Sequence, residues 1–193
     1  MAVRTTVPAP TERATVEDGR AMSAIEETVE VRVPVHTAYN QWTQFADFPR
    51  FMSSVREVEQ VKPNLTHWVV GVGPLRGRFQ AEVVEQRPDA YLAWRSTGRG
   101  HTHSGEVCFR STAADRSTVT VRMRMHPPGF AFRLAAASGL LRGAIHRELG
   151  RFKEFIEAVG EESGAWRGTI GDGRVSPGEP EPPRSRVPHW PVG

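Results

Sequence analysis

Arg95, Glu106 and Arg124 carry the chemistry for acid–base or oxyanion work on strand-like segments. Proton transfer needs an acid or base in a water-poor pocket, and charge developing on oxygen needs a donor. Alternation sets these residues on the wrong side. Arg95 opposes Trp94, Arg124 opposes Met123 and Met125, and Glu106 opposes Val107, so all three read as solvent-facing. Only a bulge beside Gly105 would turn Glu106 inward. No catalytic residue is assigned from the sequence.

His101 and His103 are two apart and share a strand face, but a metal site needs three or four ligands. The glycine-rich turn beside them, Thr97-Gly98-Arg99-Gly100, makes them an exposed loop, and no metal site is read. His36 and His67 are isolated and read as surface or hydrogen-bonded histidines. His146 follows Ile145 on a helical segment and reads as solvated, near the mouth of any cavity that the helix helps to form. Cys108 has no neighbour that favours a thiolate and reads as a small buried hydrophobe. As the only cysteine it forms no intrachain disulfide. No phosphate loop, nucleophile elbow or nucleotide fingerprint is present, and no cofactor is expected.

The elements that must position these groups follow a clear order. A strand-like run, Glu26 to Val33, is broken by Pro34, which suits the first turn of a helix. Val35, Tyr39 and Trp42 then fall on one helical face, and Asp47 is placed to cap a second short helix, Phe48 to Phe51. Six strand-like runs follow: Val55–Val61, Thr66–Val72, Arg78–Glu85, Tyr91–Ser96, Ser104–Arg110 and Thr118–His126. Short turns rich in Pro, Gly, Asn and Asp separate them, which implies an antiparallel meander. Val119, Val121, Met123 and Met125 share one face, and Thr118, Thr120, Arg122, Arg124 and His126 the other. A helical pattern runs from about Phe130 to Val159, with a break expected before about Gly139 and a C-cap at Gly160. Leu141, Ile145, Leu149, Phe152 and Ile156 make its apolar face.

The predicted architecture is therefore α+β: a curved antiparallel sheet wrapped around a long C-terminal helix, with two short helices after the first strand. The domain is placed at residues 24–162, between a disordered leader at 1–23 and a Gly/Pro-rich disordered tail at 163–193. Trp166 is expected to tuck onto the domain. Met22 is a candidate natural start, which N-terminal peptide mapping would check.

The chain has 193 residues and a net charge of +3, with arginine spread over strands and helix rather than blocked. A solvated basic surface is expected, not a nucleic-acid partner. No segment is long and apolar enough to span a bilayer, so no stable membrane insertion is expected. With the single cysteine and no secretory pattern at the N-terminus, the expected location is cytoplasmic.

Residues 25–162 resemble the polyketide cyclase/dehydrase and lipid-transport family of the START-like, or SRPBCC, superfamily. The resemblance rests on Val31 to Trp42, Phe45 to Met52, Glu85 to Asp89, Ala93 to Ser96 and Leu149 to Glu157. It implies a helix-grip fold with a cavity between sheet and long helix. Aromatase/cyclases of the group are similar to one another in a Ser-x-Arg pair, and the matching stretch here reads Val84-Glu85-Gln86. The tyrosine that they carry after the helical pair falls at Val55. That departure puts ring-closing aldol chemistry in doubt.

The expected function is binding or transport of a small hydrophobic ligand (lipid, quinone or polyketide-like) in that cavity. The alternatives are a polyketide cyclase/dehydrase and a ribosome- or protein-interacting module. Expected lining residues are Trp42, Phe48, Phe51 and Met52 from the helical pair. Trp68, Phe79, Trp94, Phe109, Met123 and Met125 come from the strands, and Phe130, Leu134, Leu141 and Ile145 from the helical stretch. The stretches Phe48 to Met52 and Phe130 to Leu134 are the expected entrance.

Overall fold

Valine, methionine and aromatic side chains at every second position build one dry sheet face, and the helix that follows supplies the surface to cover it. The computed structural model describes residues 23–72, 75–97, 102–126 and 139–178. The expected leader, Phe130, Leu134, His101 and Trp190 lie outside those residues. Strand β1 (Ser23–Val31) is followed by helix α1 (Val35–Thr43), a 3-10 turn (Phe45–Asp47) and helix α2 (Phe48–Phe51). Strands β2 (Val55–Lys62), β3 (Leu65–Val72), β4 (Leu75–Arg87), β5 (Tyr91–Thr97), β6 (Thr102–Ala113) and β7 (Arg116–His126) follow in turn. Helix α3 (Leu140–Val159) comes next, then a hairpin of β8 (Thr169–Gly171) and β9 (Arg174–Ser176).

The strands pair antiparallel in the order β1-β7-β6-β5-β4-β3-β2. Leu149, Phe152 and Ile156 of α3 are buried against the sheet's inner face, with Tyr39 and Trp42 of α1 beside them. Trp42 meets Phe152 edge to face at 4.9 Å between ring centroids. Glycine ends α3 as expected: Gly160 has φ +74° and closes the last turn onto the Ile156 carbonyl.

Three carboxylates bolt α3 down. Glu27 of β1 accepts from Arg142 and His146. Glu148 accepts from the backbone and hydroxyl of Ser53, both at 2.9 Å. Glu157 accepts from the Arg32 backbone at 2.8 Å, from its guanidinium and from Lys153. Burial alone would raise the Glu157 carboxyl, but the bonds from Lys153 and Arg32 outweigh it and hold it at about 2. A carboxyl lowered on folding contributes stability that is complete above its unfolded value near 4.5 and fades as pH falls toward 2. Glu157→Gln should cost about 1–2 kcal/mol at neutral pH and little at pH 2. Urea unfolding at both pH values checks this; an equal loss at the two would show that Glu157 acts by packing.

Several expectations need correction. The stretch 163–193 is not all tail: Ile170 of β8 is buried, and β8 pairs with β4 at Gln86. Strand β4 outruns β3, whose pairing stops at Leu65 opposite Glu82, so the exposed β4 edge beyond is covered by the hairpin. Trp166 does pack against the core. Asp47 does not cap α2 with its side chain; its carboxylate instead accepts from Gln41 and from the Ser163 hydroxyl. Cys108 is not in the core. Its parity sets it on the outer face opposite Tyr91 and Thr120, half-buried, where burial and the Glu106 carboxylate push the thiol up. His103 is not on an exposed loop. It lies in β6, in phase with Val107 and Phe109, and is 9% exposed.

Candidate functional site

Among the described residues the inner face divides into a fully buried end and a less covered end. Around Phe109, Val119 and Val31 the sheet meets α1 and the second half of α3, and side chains are wholly buried. Toward the other end two rows of side chains are only partly covered. One runs across paired positions Trp94, Gly105, Met123 and Ile25. The other holds the pair Trp68 and Phe79, then Met125, whose cross-strand partner His103 is itself buried. Leu141 and Ile145, in the first turns of α3, are half-buried too.

This division sorts the expected lining residues. Trp42, Phe48, Phe51 and Phe109 are core residues, their rings locked in edge-to-face and tilted contacts. Met52, Trp68, Trp94, Met123 and Ile145 are partly buried and pack against that core. Phe79, Met125 and Leu141 are also intermediate in burial.

Local chemistry fixes the aromatic wall. The Trp68 indole donates to the Thr66 hydroxyl at 2.7 Å, and that hydroxyl donates on to the Ala81 carbonyl at 3.1 Å. Trp68 therefore keeps its polar N–H satisfied while its ring stacks parallel to Phe79 at 6.0 Å. Phe79 in turn presents its ring at 90° to the His103 imidazole, 4.5 Å between centroids. The Trp94 ring lies across Gly105, and a Cβ added there would sit 2.3 Å from it.

The residues considered for catalysis stay outside. Arg95 pairs with Glu82 at 2.9 Å. Glu106 accepts from the Tyr91 hydroxyl at 2.9 Å and from Arg122 at 3.1 Å. Arg124 is exposed. His67 meets Gln80 at 2.7 Å, also away from the inner face. His146 is exposed and meets the Glu27 carboxylate at 3.0 Å. Glu27 itself is an inward-facing acid, lowered by Arg142 first and His146 second.

Gln86 marks the inner face near the fully buried end. A register shift between Val83 and Glu85 turns both Val83 and Gln86 inward. The Gln86 amide is buried and donates to the Tyr39 hydroxyl at 2.8 Å. Burial raises the Tyr39 phenol to about 12, so it stays protonated. At the last position of the stretch that matches the Ser-x-Arg pair, this chain thus holds a neutral, satisfied amide. Among the described residues no group of three metal-ligating side chains occurs, and no helix is long and apolar enough to cross a membrane.

Thr66, His103, Glu27 and Gly105 were missed or set aside as site residues by the sequence reading. Two signals were available: the phase of His103 with Val107 and Phe109, and a glycine inside a strand, which marks a close approach.

A curved antiparallel sheet packed against one long C-terminal helix, with two short helices after the first strand, defines a START-like fold. The chain belongs to the polyketide cyclase/dehydrase and lipid transport family, which residues 31–156 match. It is 44% identical over 149 residues to an uncharacterised 17.2 kDa protein of Streptomyces lincolnensis, covering 77% of this chain and 99% of the relative. Its fold is similar to that of a START superfamily protein from Mycobacterium smegmatis (TM-score 0.58, 14% identity, 68% of this chain and 98% of the other). It is similar to that of the Zhui aromatase/cyclase from Streptomyces (TM-score 0.59, 16% identity, 73% and 99%).

Proposed function

We propose that the protein binds a small hydrophobic molecule between the inner sheet face and α3, and carries or presents it without converting it. One observation carries the reading. Large apolar side chains that pack fully at one end of the interface stand half-covered at the other, where Trp68, Phe79, Trp94, Met123 and Met125 share a face. Stacked and crossed aromatic rings suit a flat apolar ligand, and methionine adapts to its outline. A ligand burying roughly 250 Å² of apolar surface would gain about 6 kcal/mol from leaving water.

Support for a carrier over a cyclase comes from the charges. Arg95, Glu106 and Arg124 lie on the outer face, and Gln86 is a neutral amide engaged with Tyr39. A basic docking face is disfavoured in turn, because Arg95 and Arg122 are paired with Glu82, Glu26 and Glu106.

Native mass spectrometry of freshly purified protein, followed by solvent extraction, tests the proposal. A stoichiometric apolar adduct is expected, and its binding should change the fluorescence of the Trp68 and Trp94 region. A protein that is empty, and takes up no apolar probe when offered one, would overturn it.

A further inference from the structure

The geometry points to Glu27 as a clasp that sets how fast ligand enters and leaves the site. This rests on the ligand site proposed above and adds the control of its exchange.

Helix α3 is held unevenly. Its second half sinks Leu149, Phe152 and Ile156 into the core, and Glu148 and Glu157 tie it to Ser53, Ser54 and Arg32. Its first half, from Leu140 to Glu148, has no fully buried side chain. Leu141 and Ile145 are half-covered, and Leu140 is 68% exposed. Gly143 lies within that half and lowers its helix propensity. A segment held by so few buried contacts opens far more often than the core.

Glu27 is what opposes that opening. It lies on the inner face of β1, opposite Val121 and between Ile25 and Val29, with its side chain 11% exposed. One carboxylate oxygen accepts from Arg142 Nε at 2.5 Å, and the other meets His146 Nδ1 at 3.0 Å. Among the described residues these are the side-chain hydrogen bonds that join the first half of α3 to the sheet. Ile25, two residues before Glu27 on the same face, belongs to the half-covered row with Met123, Gly105 and Trp94. The clasp therefore stands at the edge of the proposed site.

Entry and exit both require the first half of α3 to part from the sheet. The clasp has the same worth with and without ligand, so weakening it raises both rate constants and leaves their ratio, the affinity, nearly unchanged. A residue that touches the ligand would move the ratio instead, chiefly through dissociation.

Stopped-flow fluorescence on the full chain tests this, with N-phenyl-1-naphthylamine as a neutral apolar probe. Glu27→Gln should raise the association and dissociation rate constants together by about fivefold, the worth of two partly exposed pairs, and change Kd by less than about twofold. Arg142→Gln removes one partner on an exposed side chain and should raise both by about twofold. Glu157→Gln breaks a comparable set of bonds on the other half of the helix and should change neither.

Unchanged rates in Glu27→Gln or, should that variant fail to fold, in Arg142→Gln would overturn the inference while the site stands. A Glu157→Gln protein that exchanges probe as fast as Glu27→Gln would show general loosening, and the inference would fail likewise. A rise in dissociation alone, with Kd weakened to match, would make Glu27 a ligand contact and not a clasp. If the unaltered protein does not bind the probe, the ligand site itself is overturned.

Discussion

Gly105→Ala should lower the stability of the folded domain by about 2–3 kcal/mol, near the upper end for overpacking. The position looks innocuous in sequence, a glycine in a strand where any β-former would be tolerated on propensity. In the structure a Cβ there would lie 2.3 Å and 2.6 Å from two atoms of the Trp94 indole and 2.9 Å from the Arg122 carbonyl. The indole can swing away; the carbonyl belongs to the β6–β7 ladder, where Gly105 is paired with Met123, and cannot. The cost therefore has two parts. Adding Trp94→Ala to Gly105→Ala should recover the indole's share and leave the backbone's. Displacing the Trp94 ring would alter the wall proposed to hold the ligand, so Gly105→Ala should also reduce uptake of any apolar probe. Urea unfolding and probe titration read the two effects. A stable Gly105→Ala protein would mean that Trp94 does not rest on Gly105, and the aromatic wall would need redrawing.

The same pair of residues shows what a sequence can and cannot convey about this fold. Element order and type were legible because they depend on local chemistry. Val119 to Met125 alternate against arginine and threonine, turns carry Pro, Gly, Asn and Asp, and Leu149, Phe152 and Ile156 step along one helical face. The site was legible only in composition. Nothing local separates Trp42 and Phe109, which end in the core, from Trp68 and Trp94, which end half-covered; the difference is tertiary, as Phe152 of α3 meets Trp42 and Tyr39 of α1 meets Phe109. Gln86 faces inward because of a register shift two residues earlier, which alternation does not foresee. His103 had a readable phase, but the glycine-rich turn before it argued for a loop, and the local signal prevailed over the tertiary one.

A chain ended at Gly160 should lose about 3–5 kcal/mol of stability relative to one ended at Gly178, a large share of what a domain of this size possesses. On composition the segment between them is a tail, and on that reading its removal is neutral. In the structure it is an integral part of the domain. Ile170, 2% exposed, fills the gap beyond the end of β3 and would contribute about 1.5–3 kcal/mol by burial alone. Arg167 forms a two-pronged pair with Asp89, at 2.9 Å and 2.6 Å, and reaches the Asn40 side chain at 3.2 Å. The Ser163 backbone donates to Gln41 at 3.0 Å, and Glu162 accepts from Asn40 at 2.8 Å. Asn40 and Gln41 are buried on α1, so truncation strips partners from two enclosed amides, each costing on the order of 1–3 kcal/mol if no water replaces them. Ordering entropy of the segment offsets part of the sum, which is why the net loss is placed below the gross contributions. Urea midpoints of the two chains decide between the readings. Equal midpoints would return residues 161–178 to the status of a tail. A lower midpoint for the shorter chain would place the domain's C-terminal boundary past Ser176, beyond the segment that the family match covers, and make the hairpin part of what holds α1 against the sheet.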